Sequence, residues 1–152
     1  MSKLMQLKAV FDELGKKQIK VGFFAHSHYT DGTPIAYIAA IQELGYPEGG
    51  IPPRPFLRPT MSDKKQDYSQ LIFRATKASI KGRVTVSDGL AVIGKQMESD
   101  VKSAIEALRE PKLKDETVAA RRRSRSKGKA TDKPLIFNGD LRDAVEFSVE
   151  EK

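Results

Sequence analysis

A chain of 152 residues, 39% hydrophobic and 31% charged, fits one domain, or one domain carrying an arm, with a core of ordinary size. It has no cysteine, which excludes disulfides, thiolate nucleophiles and cysteine-based metal sites. The net charge of +7 is local: ten Lys/Arg against four Asp/Glu between Arg109 and Lys133 give +6, leaving +1 for the rest. The composition is slightly more polar than a self-contained globule needs, as suits a chain that hides surface against partners.

Leu4, Leu7, Val10, Phe11 and Leu14 recur at helical spacing and predict a first helix with one apolar stripe, closed by Gly15. Gln6, Lys8 and Asp12 interrupt that stretch, so it is no secretory signal core. No run of about 18 apolar residues occurs anywhere, and no membrane span is expected. With the missing cysteines, this predicts a product made and assembled in the cytoplasm.

Ile19 to Phe24 is β-branched and aromatic and predicts a strand, followed by a polar turn ending at Asp31-Gly32. Thr33 and Pro34 open a second helix with Ile35, Ile38, Ile41 and Leu44 as its predicted buried stripe and Gly45 as its stop. Gly49 to Pro59 is a proline-rich loop. A third helix starts at Ser62 or Asp63 and carries Tyr68, Leu71, Ile72, Ala75 and Ser79, with Gly82 breaking it. The longest helix runs from Ser87 to Leu108, with Leu90, Ile93, Met97, Val101, Ile105 and Leu108 on one side, and is weakened near its start by Gly89 and Gly94.

Residues 112–133 read as a basic arm within the single domain 1–152, with at most a short helix from Thr117 to Arg123. It has little to bury and is expected to move when unpartnered. Beyond a turn at Asn138-Gly139, Val145, Phe147 and Val149 alternate with Glu146, Ser148 and Glu150, predicting a strand with one wet face. The fold class is therefore α+β: a small antiparallel sheet packed by about four helices, with an extended proline-rich loop and a basic arm. Two strands make a poor sheet alone. Further strands could come from Arg83-Val84-Thr85-Val86 or from a neighbouring subunit, and the second option suggests oligomers.

Pro52, Pro53, Pro55 and Pro59 fix φ and hold the residues before them extended, so Ile51 to Pro59 is a stiff strap. Arg54, Phe56, Leu57 and Arg58 then project from nearly set positions. The strap either makes a subunit contact or crosses its own core, with Phe56 and Leu57 as plugs and Arg54 paired to Glu43; both can hold together. The run Arg121, Arg122, Arg123, Arg125, Lys127 and Lys129 has three readings: contact with DNA phosphates, an arm laid on an acidic protein surface, or a solvated loop. It lacks interleaved aromatics, so base stacking is not expected. His26 and His28 lack a third metal ligand, and no Ser/His/Asp set, paired-carboxylate site or phosphate loop is visible. No cofactor, metal or enzymatic activity is expected.

Two segments carry a family resemblance. Tyr29-Thr30-Asp31-Gly32-Thr33-Pro34-Ile35-Ala36, Ala39-Ala40-Ile41-Gln42-Glu43-Leu44-Gly45 and Ile51-Pro52-Pro53-Arg54-Pro55-Phe56-Leu57-Arg58-Pro59 resemble the neck, minor tail and tail-completion proteins of tailed bacteriophages. There an "AAIQEFG"-like helix end precedes an "IPPRPFLRPA"-like loop. Lys133-Pro134-Leu135-Ile136, Gly139 and Leu141-Arg142 are similar to that family's "KPLI-x-TG-x-L" stretch, with Asn138-Gly139-Asp140 departing from its usual Thr-Gly. The resemblance covers about a third of the chain. It implies a structural virion protein forming a homo-oligomeric, hexameric ring at the head–tail junction. Its partners would be other neck, head-closure and tail-terminator or tail proteins, and genomic DNA in transit through the channel. The candidate subunit interface, read from the stiff strap, is Glu43 with Pro52, Pro53, Arg54, Pro55, Phe56, Leu57, Arg58 and Pro59. A rival expectation from another class is a nucleic-acid-binding module using residues 121–129.

Overall fold

The computed structural model describes residues 2–124 and 132–152. Its elements, in chain order, are α1 (Lys3–Lys16), β1 (Lys17–Gly22), α2 (Ile35–Leu44), a 3-10 turn (Pro47–Gly49), α3 (Leu57–Asp63), α4 (Lys65–Ile80), α5 (Val86–Ala107), α6 (Asp115–Arg123), α7 (Asp140–Asp143) and β2 (Glu146–Glu151). The class is α+β, with β1 and β2 forming one two-stranded antiparallel sheet. Two compact units result. One comprises residues 1–21, 61–99 and 147–152, the other residues 22–60 and 100–146.

In the first unit, the Ser2 hydroxyl caps α1 by accepting from the Met5 N–H at 3.2 Å. The core is Val86, Leu90 and Ile93 of α5, covered by Val10 and Leu14 of α1, Ile19 of β1, Leu71 and Ala75 of α4, Met97 and Val149. The predicted α1 stripe divides: Val10 and Leu14 pack inward, whereas Leu4 is 75% and Phe11 55% exposed. Across the sheet the Lys152 N–H donates to the Lys16 carbonyl at 2.7 Å, and Lys20 pairs with Glu150 at 2.8 Å. Phe147 lies against α5 over Gly94, where a Cβ would run into its ring. The glycine that weakens the helix is thus the seat of a strand residue.

The segment Arg83–Thr85, offered as a third strand, is irregular, and Val86 already belongs to α5. Its polar side chain explains why: the Thr85 hydroxyl accepts from the Asp88 N–H at 3.0 Å, an N-terminal cap in place of strand pairing.

In the second unit, Val101 and Ile105 of α5 and Val145 are fully buried, with Ile35, Ala39, Phe56, Leu135, Leu141 and Ala144 also inside. Phe23 meets Phe56 edge to face, centroids 5.9 Å apart. Of the predicted α2 stripe, Ile35 is buried and Ile38 and Ile41 are half-buried, while Leu44 is 62% exposed; Ala39 and Glu43 are buried alongside Ile35. Nearly every α2 residue is apolar, so periodicity alone does not choose its face. Gly45 ends α2 at φ 80°, and Pro53 packs so closely on it that a Cβ would meet the proline ring at 2.9 Å.

The loop predicted to reach Pro59 is shorter, since α3 already begins at Leu57 and α4 follows after a break at Lys64. Pro59 sits in the first turn of α3, where an N–H has no helical partner to lose. What starts this helix early is a carboxylate from α2.

Candidate functional site

Glu43, 8% exposed at the end of α2, receives the N-terminus of α3. Its Oε2 accepts from the N–H groups of Phe56 (2.8 Å) and Leu57 (3.0 Å), and its Oε1 from that of Arg58 (3.0 Å). These are donors a helix start leaves without intrahelical acceptors, and a carboxylate there also meets the positive end of the helix dipole. The Arg58 Nε closes the cluster at 3.1 Å from Oε1. Burial on its own would raise the Glu43 carboxyl, but the Leu57, Arg58 and Phe56 N–H groups and the Arg58 guanidinium outweigh it and hold it below its ordinary value.

The arginine that joins Glu43 is therefore Arg58, not Arg54. Arg54 is 5% exposed and turns the other way. Its backbone N–H donates to the Gln42 carbonyl at 2.6 Å. Its Nε donates to the Pro111 carbonyl (2.8 Å), Nη2 to the Lys112 carbonyl (3.0 Å) and Nη1 to the Gln42 side-chain oxygen (3.5 Å). The difference follows from backbone: the strap is extended through Phe56 and helical from Leu57, so the two arginines leave it in different directions.

Of the strap residues, Arg54 and Phe56 are buried, Pro52 and Leu57 are half-buried, and Pro53, Pro55, Arg58 and Pro59 are exposed. The strap is thus fastened from behind and presents prolines and one guanidinium outward. Tyr46 and Ile51 exchange backbone hydrogen bonds of 2.8 and 3.0 Å at its root.

The basic run also divides. Arg121 folds inward, donating to the carbonyls of Lys133 (2.8 Å), Ile136 (3.0 Å) and Pro134 (3.1 Å), with its guanidinium 5.3 Å from the Phe137 ring centre. It latches the two sides of the arm together. Arg122 and Arg123 are exposed at the end of α6, and Arg125, Lys127 and Lys129 lie outside the described residues.

Between strap and latch lies a cleft of about 840 Å³, lined among others by Arg54, Lys112, Lys114, Glu116, Arg121 and Ile51. Burial lowers the guanidinium pKa of both Arg54 and Arg121, and the charge of Arg54 lowers that of Arg121 further. Lys112 and Lys114 escaped the reading of the strap. Their only sequence signal is membership of the basic segment, and the carbonyl that Lys112 offers Arg54 depends on a contact across 58 residues.

His26 meets Glu146 at 3.2 Å, and among the described residues no three His, Asp or Glu side chains converge as metal ligands would. Among the same residues no helix is long and apolar enough to cross a membrane. No family model, curated protein or solved structure matches the chain.

Proposed function

We propose that the chain is a structural subunit of a tailed-bacteriophage virion, building an oligomeric ring, hexameric by its resemblance, at the neck or upper tail where head and tail join. The ring would border the channel that DNA crosses and meet other neck, head-closure and tail proteins. Its work is contact between surfaces rather than a chemical reaction.

The observation that carries this reading is the strap itself, the segment with the most specific likeness to neck and tail-completion proteins. Glu43 and Arg54 hold it from within while Pro53, Pro55, Arg58 and Pro59 face out. A segment shaped before docking loses little conformational entropy on docking, which favours repeated, geometrically strict contacts. Two further features agree. A two-stranded sheet leaves backbone donors and acceptors on its outer edges that a neighbouring chain can pair. Leu4 and Phe11 leave apolar surface on α1. The inward turn of Arg121 removes one cation from the rival nucleic-acid surface.

The test replaces outward residues only. Pro55→Glu with Pro59→Glu should abolish ring assembly in size-exclusion chromatography with light scattering. Relaxing each proline should cost the fold only about 1 kcal/mol. An unchanged mass distribution in the double variant would contradict the strap as the subunit contact.

A further inference from the structure

Arg54 is a buried cation without a buried anion. Its protein partners are two backbone carbonyls and one amide oxygen, and among the described residues no carboxylate pairs with it. A guanidinium carries five N–H groups, one on Nε and two on each Nη. One on Nε, one on Nη1 and one on Nη2 meet acceptors, which leaves one N–H on each Nη. Charged N–H donors of a guanidinium bind the oxygens of an anion more strongly than neutral acceptors. Carbonyl dipoles satisfy hydrogen bonds but do not neutralise charge, and a desolvated charge is costly until it is paired.

The surroundings strengthen the demand. Arg54, Lys112, Lys114 and Arg121 line the cleft against a single acid, Glu116, a balance of four cations to one anion. The walls between them are apolar: Ile51, Pro52, Pro53, Leu113 and Pro134. Arg54 itself is only 5% exposed. The phosphates of a duplex ride on a convex backbone and are met by cations that project, not by one sunk between prolines. A carboxylate at the end of a flexible side chain can reach down, and the remainder of a peptide can lie along the apolar walls.

The geometry points to an anion-binding cleft between the strap and α6 that takes an extended acidic peptide segment of a partner protein, with a carboxylate seated on Arg54 and flanked by Lys112 and Lys114. This does not depend on whether the chain closes into rings.

The experiment titrates the full chain into fluorescein-labelled hexaglutamate and follows polarisation at physiological salt. Saturable binding is expected. Lys112→Glu with Lys114→Glu should weaken it about tenfold or more, since reversing two flanking charges amounts to more than about 1.4 kcal/mol. Among the described residues neither lysine side chain makes a hydrogen bond or ion pair, so this variant stays informative even where Arg54→Gln fails to fold. Inorganic phosphate and a short duplex DNA, each at matched ionic strength, should not displace the peptide. Absence of saturable binding overturns the proposal, and so does displacement by the duplex or by phosphate. An equal loss in Arg122→Glu with Arg123→Glu, outside the cleft, also overturns it, because attraction would then follow overall charge.

Discussion

At the scale of single residues, Glu43 is the pivot of the candidate site. Its folded pKa is lowered, so the stability it contributes is fully present above the ordinary carboxylate range and is lost as pH falls through the lowered value. Glu43→Gln should therefore flatten the acid limb of the stability–pH curve, measured as urea midpoints across the acid range; an unchanged limb would contradict the clamp. Glu43→Ala, which strands the Phe56, Leu57 and Arg58 N–H groups, should cost about 2–4 kcal/mol at neutral pH. Arg121→Lys should cost about 1–3 kcal/mol, because an ammonium cannot span three carbonyls as a planar fork does. Hydrogen exchange should quicken over residues 133–137 in that variant; unchanged protection there would refute the latch. The strap's rigidity and its buried plug Phe56 were legible from the prolines and the flanking aromatic. The partner of Glu43 was not. Sequence puts Arg54 nearer to Glu43 than Arg58, and only the switch from extended chain to helix at Leu57 brings Arg58 to it instead.

At the scale of elements, long amphipathic segments were the most readable. Helix α5 begins and ends within a residue of its expected bounds, and Leu90, Ile93, Val101 and Ile105 are all buried as its stripe predicts. Helix α3 was misread because its cap comes from another helix: an N-cap search looks one to three residues away, whereas Glu43 is 13 residues before Phe56. Among the described residues the sheet has two strands, and Thr85, in a segment that offered a third, caps α5 instead. Gly94 looked like a helix weakness and is a packing seat. Gly94→Ala should gain about 1 kcal/mol of helix propensity. It should lose about 1–3 kcal/mol from overpacking against Phe147, for net destabilisation. Adding Phe147→Leu should recover most of the loss; additive losses in chemical denaturation would show that the two sites do not meet.

At the scale of the molecule, the features that bear on the proposed assembly are those exposed in the single chain. An α1 face keeps Leu4 and Phe11 in water, a sheet stops at two strands, and a braced strap faces outward. The prolines made the extended course of the strap legible, but no periodicity tells which residues of a helix stripe pack inside the chain and which stay exposed. The α1 stripe is the case in point, since Leu7 and Phe11 have the same spacing whichever surface covers them. The central claim is that these surfaces close into a ring. Single-particle electron microscopy of the concentrated full chain, alone and mixed with bacteriophage neck and tail proteins, tests it most directly. The account predicts closed rings with an open lumen and the strap between adjacent subunits; particles that are only monomers or open chains in both samples would contradict it.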